Sequence, residues 1–295
     1  MAQILADAII YAAEIAVIAI GVALSFSVLR FANFAQVQLA VLGAYFSYAA
    51  NQGLGLPLPA AVLAGVVATG LVAILVDRLV FARLRHIAPE GKMIVSWGVA
   101  LFLRAAVAAI FGGASRVFPL QPSSLSLAGA FFTSQDLAVV ATTLAAVLGL
   151  HLLLYRTRAG TALRALASNA ELAETRGIPT ERMIALMWFV SGAYAALGGT
   201  LFALETRLQP NMDLIILLPT FAAVTLGGLD NVFGAALGAL ALSLAQNVLI
   251  GVDFGALVSD TSWSVPTQFR DFVAVGAMVL ILLLRTRARD GRAAR

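Results

Sequence analysis

Two charged residues, Glu14 and Arg104, lie in the middle of long apolar stretches of the sequence. A lone charge inside a bilayer is energetically costly, so such residues usually pair or face a water-filled cavity. The sequence therefore predicts one of two arrangements. Either Glu14 and Arg104 form an ion pair that holds helices together, or they face the path of a solute.

Neutral hydrogen-bonding side chains form a second polar set in apolar surroundings: Asn33, Gln36, Gln38 and Thr225. Uncharged donors and acceptors suit a small polar or zwitterionic solute. Near Thr225, the glycine pair Gly227–Gly228 ends a short apolar run, which is typical of a broken helix in a transporter. An ordinary turn between two helices explains this glycine pair equally well.

The segment 156–182 has the pattern of a short helix with defined ends. Ser168 and Glu171 have the spacing of a capping box, in which each side chain bonds the backbone amide of the other. The helix is then expected to end near Arg176, because Gly177 can adopt the left-handed conformation and a proline follows shortly after it. This segment is either a plain connector or a docking surface for a partner.

Several kinds of chemistry have no residues to support them. The chain has no cysteine, which excludes a disulfide framework, a thiolate metal site and a cysteine nucleophile. Its one Gly-Lys pair, Gly91–Lys92, lacks the upstream glycine of a P-loop, and His86 and His151 do not have zinc-binding spacing. We therefore expect no catalytic residues and no metal or cofactor bound by this chain.

The elements that position these residues are predicted to be membrane-spanning helices. Hydrophobic residues make up 61% of the 295 residues and charged residues 12%, against roughly 45–50% and 25% in soluble domains. A spanning helix needs about 20 apolar residues. The candidate stretches are 8–29, 34–50, 58–80, 93–112, 135–155, 183–204, 214–227, 231–251 and 269–284. Whether 34–50 and the short run 214–227 cross fully is open.

The predicted fold class is therefore all-α. We expect a polytopic transmembrane helix bundle of about 8–9 membrane segments, with a short cytoplasmic helix. Residues 1–295 form a single domain, because no polar block is large enough for a separate soluble one. We expect no cleavable signal peptide, because the first residues lack a basic region.

The arginines indicate the orientation, because Lys and Arg in short connections are retained in the cytoplasm. Basic residues concentrate in 78–92, in 156–182 and in the tail 285–295. The connections 113–134, 205–213 and 252–268 contain only two basic residues, Arg116 and Arg207. We therefore expect a multi-pass protein of the inner (plasma) membrane with a cytoplasmic C-terminus, and the N-terminus outside. The isoelectric point near 10.0 then reflects topology, and no nucleic acid partner is expected.

The order of several motifs resembles the LivH-type permease of branched-chain amino acid ABC importers over nearly the whole chain. The segments that resemble this family are Ile20–Leu24, Asn33–Ala35, Leu42–Tyr45, Arg156–Ala165, Gly177–Ile178, Arg182–Leu186, Ala223–Gly228 and Gly234–Gly238. Where the family reads N-F-A-H-G, residues 33–37 of this chain read N-F-A-Q-V. A neutral amide replaces the histidine and a valine replaces the glycine, so the resemblance leaves the exact solute open. It implies a branched-chain or related amino acid, or a similar small polar or zwitterionic solute.

The resemblance implies a non-catalytic permease subunit that is embedded in the lipid bilayer. It implies a second permease of the same family as partner, with a heterodimer favoured and a homodimer possible. Two cytoplasmic ATPases, which use ATP and Mg, and an extracytoplasmic solute-binding protein complete the importer. The alternative is a stand-alone secondary transporter or channel for a small polar solute, which needs no ATPase.

The candidate residues fall into two sites: a substrate path, which the polar residues in apolar surroundings indicate, and an ATPase-coupling surface, which the resemblance implies. The substrate-path candidates are Asn33, Gln36, Gln38, Glu14, Arg104, Thr225, Gly227 and Gly228. The ATPase-coupling candidates are Arg164, Ser168, Asn169, Glu171, Glu174, Gly177 and Ile178. In the family, the loop that corresponds to 156–182 seats a short coupling helix in a groove of the ATPase.

Overall fold

The computed structural model describes residues 2–119, 123–127, 130–251, 266, 269–270, 272–280 and 283. Helices dominate these residues. The long helices are α1 (Ala2–Leu29), α2 (Ala35–Gly53), α3 (Leu58–Leu79), α4 (Pro89–Phe111), α5 (Ser134–Arg156), α8 (Thr180–Glu205), α9 (Met212–Gly227) and α10 (Val232–Gly251). The shorter elements are a 3₁₀ turn (Phe81–Leu84), α6 (Arg158–Ser168) and α7 (Ala170–Thr175). Residues 272–280 are also helical.

Six helices of the described residues are long and apolar enough to cross a membrane: α1, α3 with the 3₁₀ turn, α4, α5, α8 and α10. The apolar helix α9 is shorter, and α2 has polar residues at both ends. The prediction of a polytopic all-α protein is confirmed. Of the predicted last span 269–284, the structure describes 269–270, 272–280 and 283, and the basic tail 285–295 lies outside the described residues.

Helices α1 and α8 form the centre of the bundle. In the most apolar part of each helix, 78% of residues are buried in α1 and 72% in α8, against 22% in α4 and α5. Helix α1 packs on α8, α9 and α10, whereas α2 packs on α3, α4 and α8. The peripheral helices therefore turn large apolar side chains outward, as expected for surfaces that face lipid or another membrane protein.

Small residues let α9 and α10 approach closely, and the four-residue spacing of Gly234 and Gly238 is typical of such helix contacts. A Cβ on Gly238 would collide with the carbonyl of Ala223 on α9, and a Cβ on Gly227 would collide with the backbone of Gly234. The two helices therefore form a tightly packed hairpin.

A short antiparallel hairpin interrupts the connection between α4 and α5, which the sequence analysis did not predict. Strand β1 (Ser124–Leu127) pairs with β2 (Ala130–Thr133). The alternation of serine and leucine in β1 and the aromatic and β-branched residues of β2 explain the pairing, because both patterns favour strands. The hairpin leads directly into the capping box of α5 at Thr133.

Candidate functional site

A buried cluster of three polar residues joins α2, α4 and α9. Arg104 Nη2 on α4 forms an ion pair with Asp213 Oδ2 in the first turn of α9. The Gln38 amide, oriented with its nitrogen toward Asp213, donates to the two carboxylate oxygens at 3.1 and 3.3 Å. The side chains of Arg104 and Asp213 are 21% and 6% exposed. We call Gln38, Arg104 and Asp213 the Asp213 cluster.

Sequence reasoning missed Asp213. An acidic residue in the first turn of a helix is common, because it interacts favourably with the helix dipole. The position of Asp213 in the sequence therefore indicates no special role. The signal that could have found it is Arg104, since a guanidinium at mid-span requires a partner. The prediction of a partner for Arg104 is thus confirmed, but the partner is not the predicted one.

The predicted ion pair between Glu14 and Arg104 is wrong. Glu14 is 3% exposed on the central helix α1, and the charged groups that act on it are Glu205, Asp136 and Arg270. The physical reason lies in the packing: Glu14 faces the ends of α5 and α8, whereas α4 packs chiefly on α2. Within the described part of the chain, Glu14 Oε1 has no hydrogen-bond partner.

The amides near the start of α2 are fully buried, with unused hydrogen-bonding capacity. Gln36 Nε2 donates to the carbonyl of Ser191 on α8 at 2.6 Å. Gln36 Oε1 and both amide atoms of Asn33 have no partner among the described residues. An unsatisfied buried polar atom is costly, so these atoms are candidates for contact with a bound solute or water.

The glycine pair at the end of α9 forms a tight turn. Gly228 has a φ of 101°, which a residue with a side chain rarely adopts. Asn231 Oδ1 then accepts a hydrogen bond from the Gly234 amide at 2.9 Å and caps α10. Thr225 Oγ1 donates to the carbonyl of Phe221 within α9, so the structure joins neither Thr225 nor the glycine pair to the Asp213 cluster.

The segment 156–182 contains two helices, α6 and α7, which we call the coupling unit after the role that the sequence analysis predicts for it. The predicted capping box between Ser168 and Glu171 is wrong. Ser168 is the last residue of α6, and Asn169 caps α7 by accepting from the Leu172 amide at 3.0 Å. The N-cap residue must leave the helical conformation, and Asn169 does so with φ −157° and ψ 108°.

The predicted end of α7 is confirmed. Gly177 has a φ of 79°, and its amide donates to the carbonyl of Glu174 at 2.9 Å. The Ile178 amide donates to the carbonyl of Ala173 at 3.1 Å. These two bonds form a Schellman motif, so α7 is fixed at both ends although it has only six residues.

The coupling unit is held on the bundle by a cation–π contact and leaves one face of α7 exposed. Arg164 lies over the ring of Tyr155 on α5, with its Cζ 4.6 Å from the ring centroid, so it attaches α6 to the bundle. Leu172 is 55% exposed, and Glu171 and Glu174 are exposed beside it. An exposed leucine between acidic residues on a well-capped helix is suited to contact a partner protein.

The described residues contain no group of three or more His, Asp or Glu side chains that could hold a metal ion. A bundle of apolar helices with a buried polar cluster and an exposed capped helix is the architecture of a polytopic membrane protein, and it is compatible with a permease. The family model described as "Branched-chain amino acid transport system / permease component" matches residues 4–283. The chain belongs to this family, and the predicted resemblance to LivH-type permeases is confirmed.

Relatives with similar sequences span most of the chain. The probable branched-chain amino acid transport permease protein LivH of Methanocaldococcus jannaschii is 29% identical over 84% of this chain and 80% of its own length. The high-affinity permease protein BraD of Pseudomonas aeruginosa is 27% identical, and LivH of Escherichia coli is 25% identical. Each of these two alignments covers 94% of this chain and 91% of the relative.

A solved chain of PsaBC from Streptococcus pneumoniae, in complex with Fab, is more distant. The alignment covers 93% of this chain and 89% of that chain, with 13% identity and a TM-score of 0.48. A likeness at this level supports no inference about function.

Proposed function

We propose that this chain is the permease subunit of an ATP-driven ABC importer for branched-chain or related amino acids, or for similar small polar solutes. The family match over residues 4–283 is the observation that carries the proposal. The chain itself is non-catalytic. It pairs with a second permease of the family, with a heterodimer favoured, and works with two ATPases that use ATP and Mg and with an extracytoplasmic solute-binding protein.

The proposal includes a topology in the inner membrane. With α2, α9 and the last helix counted beside the six long apolar helices, the chain crosses the bilayer in nine segments, the upper end of the expected 8–9. The coupling unit and the C-terminus then lie in the cytoplasm, because both segments are rich in basic residues and such segments are retained on that side. Helices α6 and α7 thus lie on the side of the membrane where ATP is available to the ATPases.

Helix α7 is proposed as the coupling helix, with Glu171 and Glu174 as its charged contacts. A coupling helix must keep its shape while a partner pushes on it, and the Asn169 cap and the Schellman motif at Gly177 and Ile178 supply that rigidity. The exposed side chain of Leu172 offers the apolar contact. Arg164 acts by holding α6 on Tyr155, and Ser168 joins α6 to the cap.

The Asp213 cluster is proposed as a contact site for the solute within the membrane. An amino acid zwitterion carries one ammonium and one carboxylate, and Asp213 and Arg104 are the matching counter-charges. When the zwitterion enters between them, each charge exchanges one partner for another and none is left alone in low dielectric. Gln38 can hold Asp213 in place during this exchange.

Asn33 and Gln36 are proposed to bind the polar groups of the solute further along the path, because their amide atoms have free capacity. Glu14, Thr225, Gly227 and Gly228 remain candidates for the path as predictions. Of these, Glu14 has the stronger support, because its unpartnered oxygen is buried at the centre of the bundle.

The proposal is tested by purifying the tagged chain in mild detergent together with the products of neighbouring genes. The complex is then reconstituted into proteoliposomes, and uptake of radiolabelled leucine is measured with and without ATP. A complex with two ATPases and a second permease, and uptake that needs both ATP and the binding protein, is the expected result. Uptake by this chain alone without ATP would overturn the proposal in favour of a secondary transporter.

The coupling role of α7 is tested by the double variant Glu171→Arg/Glu174→Arg. We expect the protein to insert normally but to lose affinity for the ATPases, because two exposed charges are reversed at the proposed contact. Glu90→Arg is the matched control, since Glu90 is an exposed glutamate in the first turn of α4. Normal co-purification of the ATPases with the double variant would contradict this assignment of α7.

A further inference from the structure

Arg30 has an unusual backbone conformation. It is the one residue other than glycine with a positive φ among the described residues, at 59°. Its amide donates to the carbonyl of Phe26 at 2.9 Å and closes the end of α1. A residue with a side chain persists in this region only when its surroundings hold it there. Glycine would adopt this conformation more easily, so the side chain of Arg30 must supply a contact that glycine lacks.

That side chain joins three segments of the chain. Arg30 Nη1 donates to Asp230 Oδ2 at 2.9 Å, and Nη2 donates to the carbonyl of Ala167 at 2.6 Å. Asp230 lies in the turn between α9 and α10, and Ala167 lies in the last turn of α6, just before the cap of α7. One guanidinium thus connects the end of α1, the coupling unit and the α9–α10 turn.

Beside this contact, the coupling unit and the α9–α10 turn are not closely packed against each other. A cavity of about 230 Å³ separates α6 from the start of α10, and its lining includes Leu163, Ala167, Asn231 and Phe233. Helix α7 packs on α6 and α8. A cavity thus lies where close packing could have transmitted force. Among the described residues, the contacts of Arg30 form a polar link between the coupling unit and the α9–α10 turn.

We propose that Arg30 is a positioning residue that transmits movement of the coupling unit to the α9–α10 turn. Helix α9 has Asp213 in its first turn and leads into this turn at its other end, so a shift of Asp230 moves the helix that carries the Asp213 cluster. This inference rests on the proposed function of the chain as an ATP-driven permease. Arg30 acts through its contacts with Ala167 and Asp230.

The exposure of the contact suits this role. The side chains of Arg30 and Asp230 are 52% and 61% exposed, and exposed ion pairs contribute little to stability. The link can therefore break and re-form during a cycle without a large barrier. For the same reason, its removal is expected to leave the fold intact, so a change in coupling can be measured separately from unfolding.

The test uses the complete importer in proteoliposomes, with ATP hydrolysis and uptake of radiolabelled leucine measured on the same preparation. Arg30→Gly removes the side chain and keeps a backbone that favours positive φ. We expect normal assembly and ATP hydrolysis, but a fall of about fivefold or more in uptake per ATP, the lower end of typical coupling between sites. Asp230→Asn should lower the ratio less, because the amide oxygen of the asparagine can still accept a hydrogen bond from the Arg30 guanidinium.

Arg83→Ala is the matched control, since Arg83 is an exposed arginine in the 3₁₀ turn after α3, and it should keep the wild-type ratio. An unchanged ratio in Arg30→Gly overturns the inference alone. A loss of assembly in Arg30→Gly also overturns it, because the role is then structural. If the wild-type complex shows no ATP-dependent uptake of leucine, of other amino acids or of similar small polar solutes, the proposed function fails and the inference fails with it.

Discussion

Two arginine–aspartate pairs lie near opposite ends of α9 in opposite surroundings. At the start of the helix, the side chains of Arg104 and Asp213 are 21% and 6% exposed. Beyond its other end, those of Arg30 and Asp230 are 52% and 61% exposed. Water screens the second pair and is largely excluded from the first. The same two residue types can thus serve a fixed site at one end of the helix and a reversible contact at the other.

The difference shows why residue type alone does not indicate the role of a charge. A buried pair is costly to break by removing one partner, because the other charge stays uncompensated in low dielectric. An exposed pair exchanges partners with water at little cost. We therefore expect stability to depend on the Asp213 cluster, and coupling to depend on Arg30.

The largest effect is predicted for Asp213→Asn. This change leaves the guanidinium of Arg104 without its counter-charge, and the expected loss of stability is about 3–5 kcal/mol. The melting temperature of the protein in detergent should fall accordingly. The double variant Asp213→Asn/Arg104→Gln should recover stability without recovering uptake, because the counter-charges for a zwitterion are both absent. A single variant with wild-type stability would show that water reaches the cluster.

The packing of the α9–α10 turn gives the next largest effect. In Gly227→Ala, the new Cβ collides with the backbone of Gly234, and forcing atoms into a packed contact costs about 1–3 kcal/mol. The control is Gly98→Ala on α4, where a Cβ meets no atom within 4 Å. Equal melting temperatures for the two variants would mean that the turn is not held by close packing.

Sequence reasoning predicted local features better than contacts between helices. The end of α7 follows from Gly177 and the nearby proline, because a Schellman motif depends on adjacent residues. The partner of Arg104 lies 109 residues away, and nothing local encodes it. The cap at Asn169 shows the same limit on a smaller scale, since Ser168 and Asn169 are both good N-cap residues.

The capping of α7 gives a smaller predicted effect. Asn169→Ala removes the acceptor for the Leu172 amide, which typically costs about 0.5–2 kcal/mol. Because α7 is short, the loss should appear as faster amide hydrogen exchange in residues 170–175 rather than as global unfolding. Ser168→Ala is the matched control and should leave exchange in α7 unchanged. Faster exchange in the control alone would restore Ser168 as the cap.

The smallest effect on stability is predicted for Asp230→Asn, and it sharpens the comparison of the two ion pairs most directly. Both this change and Asp213→Asn remove one negative charge from an arginine partner and keep the size of the side chain. Because water and added salt screen an exposed pair, the loss for Asp230→Asn should stay below about 1 kcal/mol. The two variants are compared by melting temperature at low and high salt. A loss as large as that of Asp213→Asn at both salt concentrations would mean that Arg30 is a structural clamp, and a reversible link would then have to be sought elsewhere in the coupling unit.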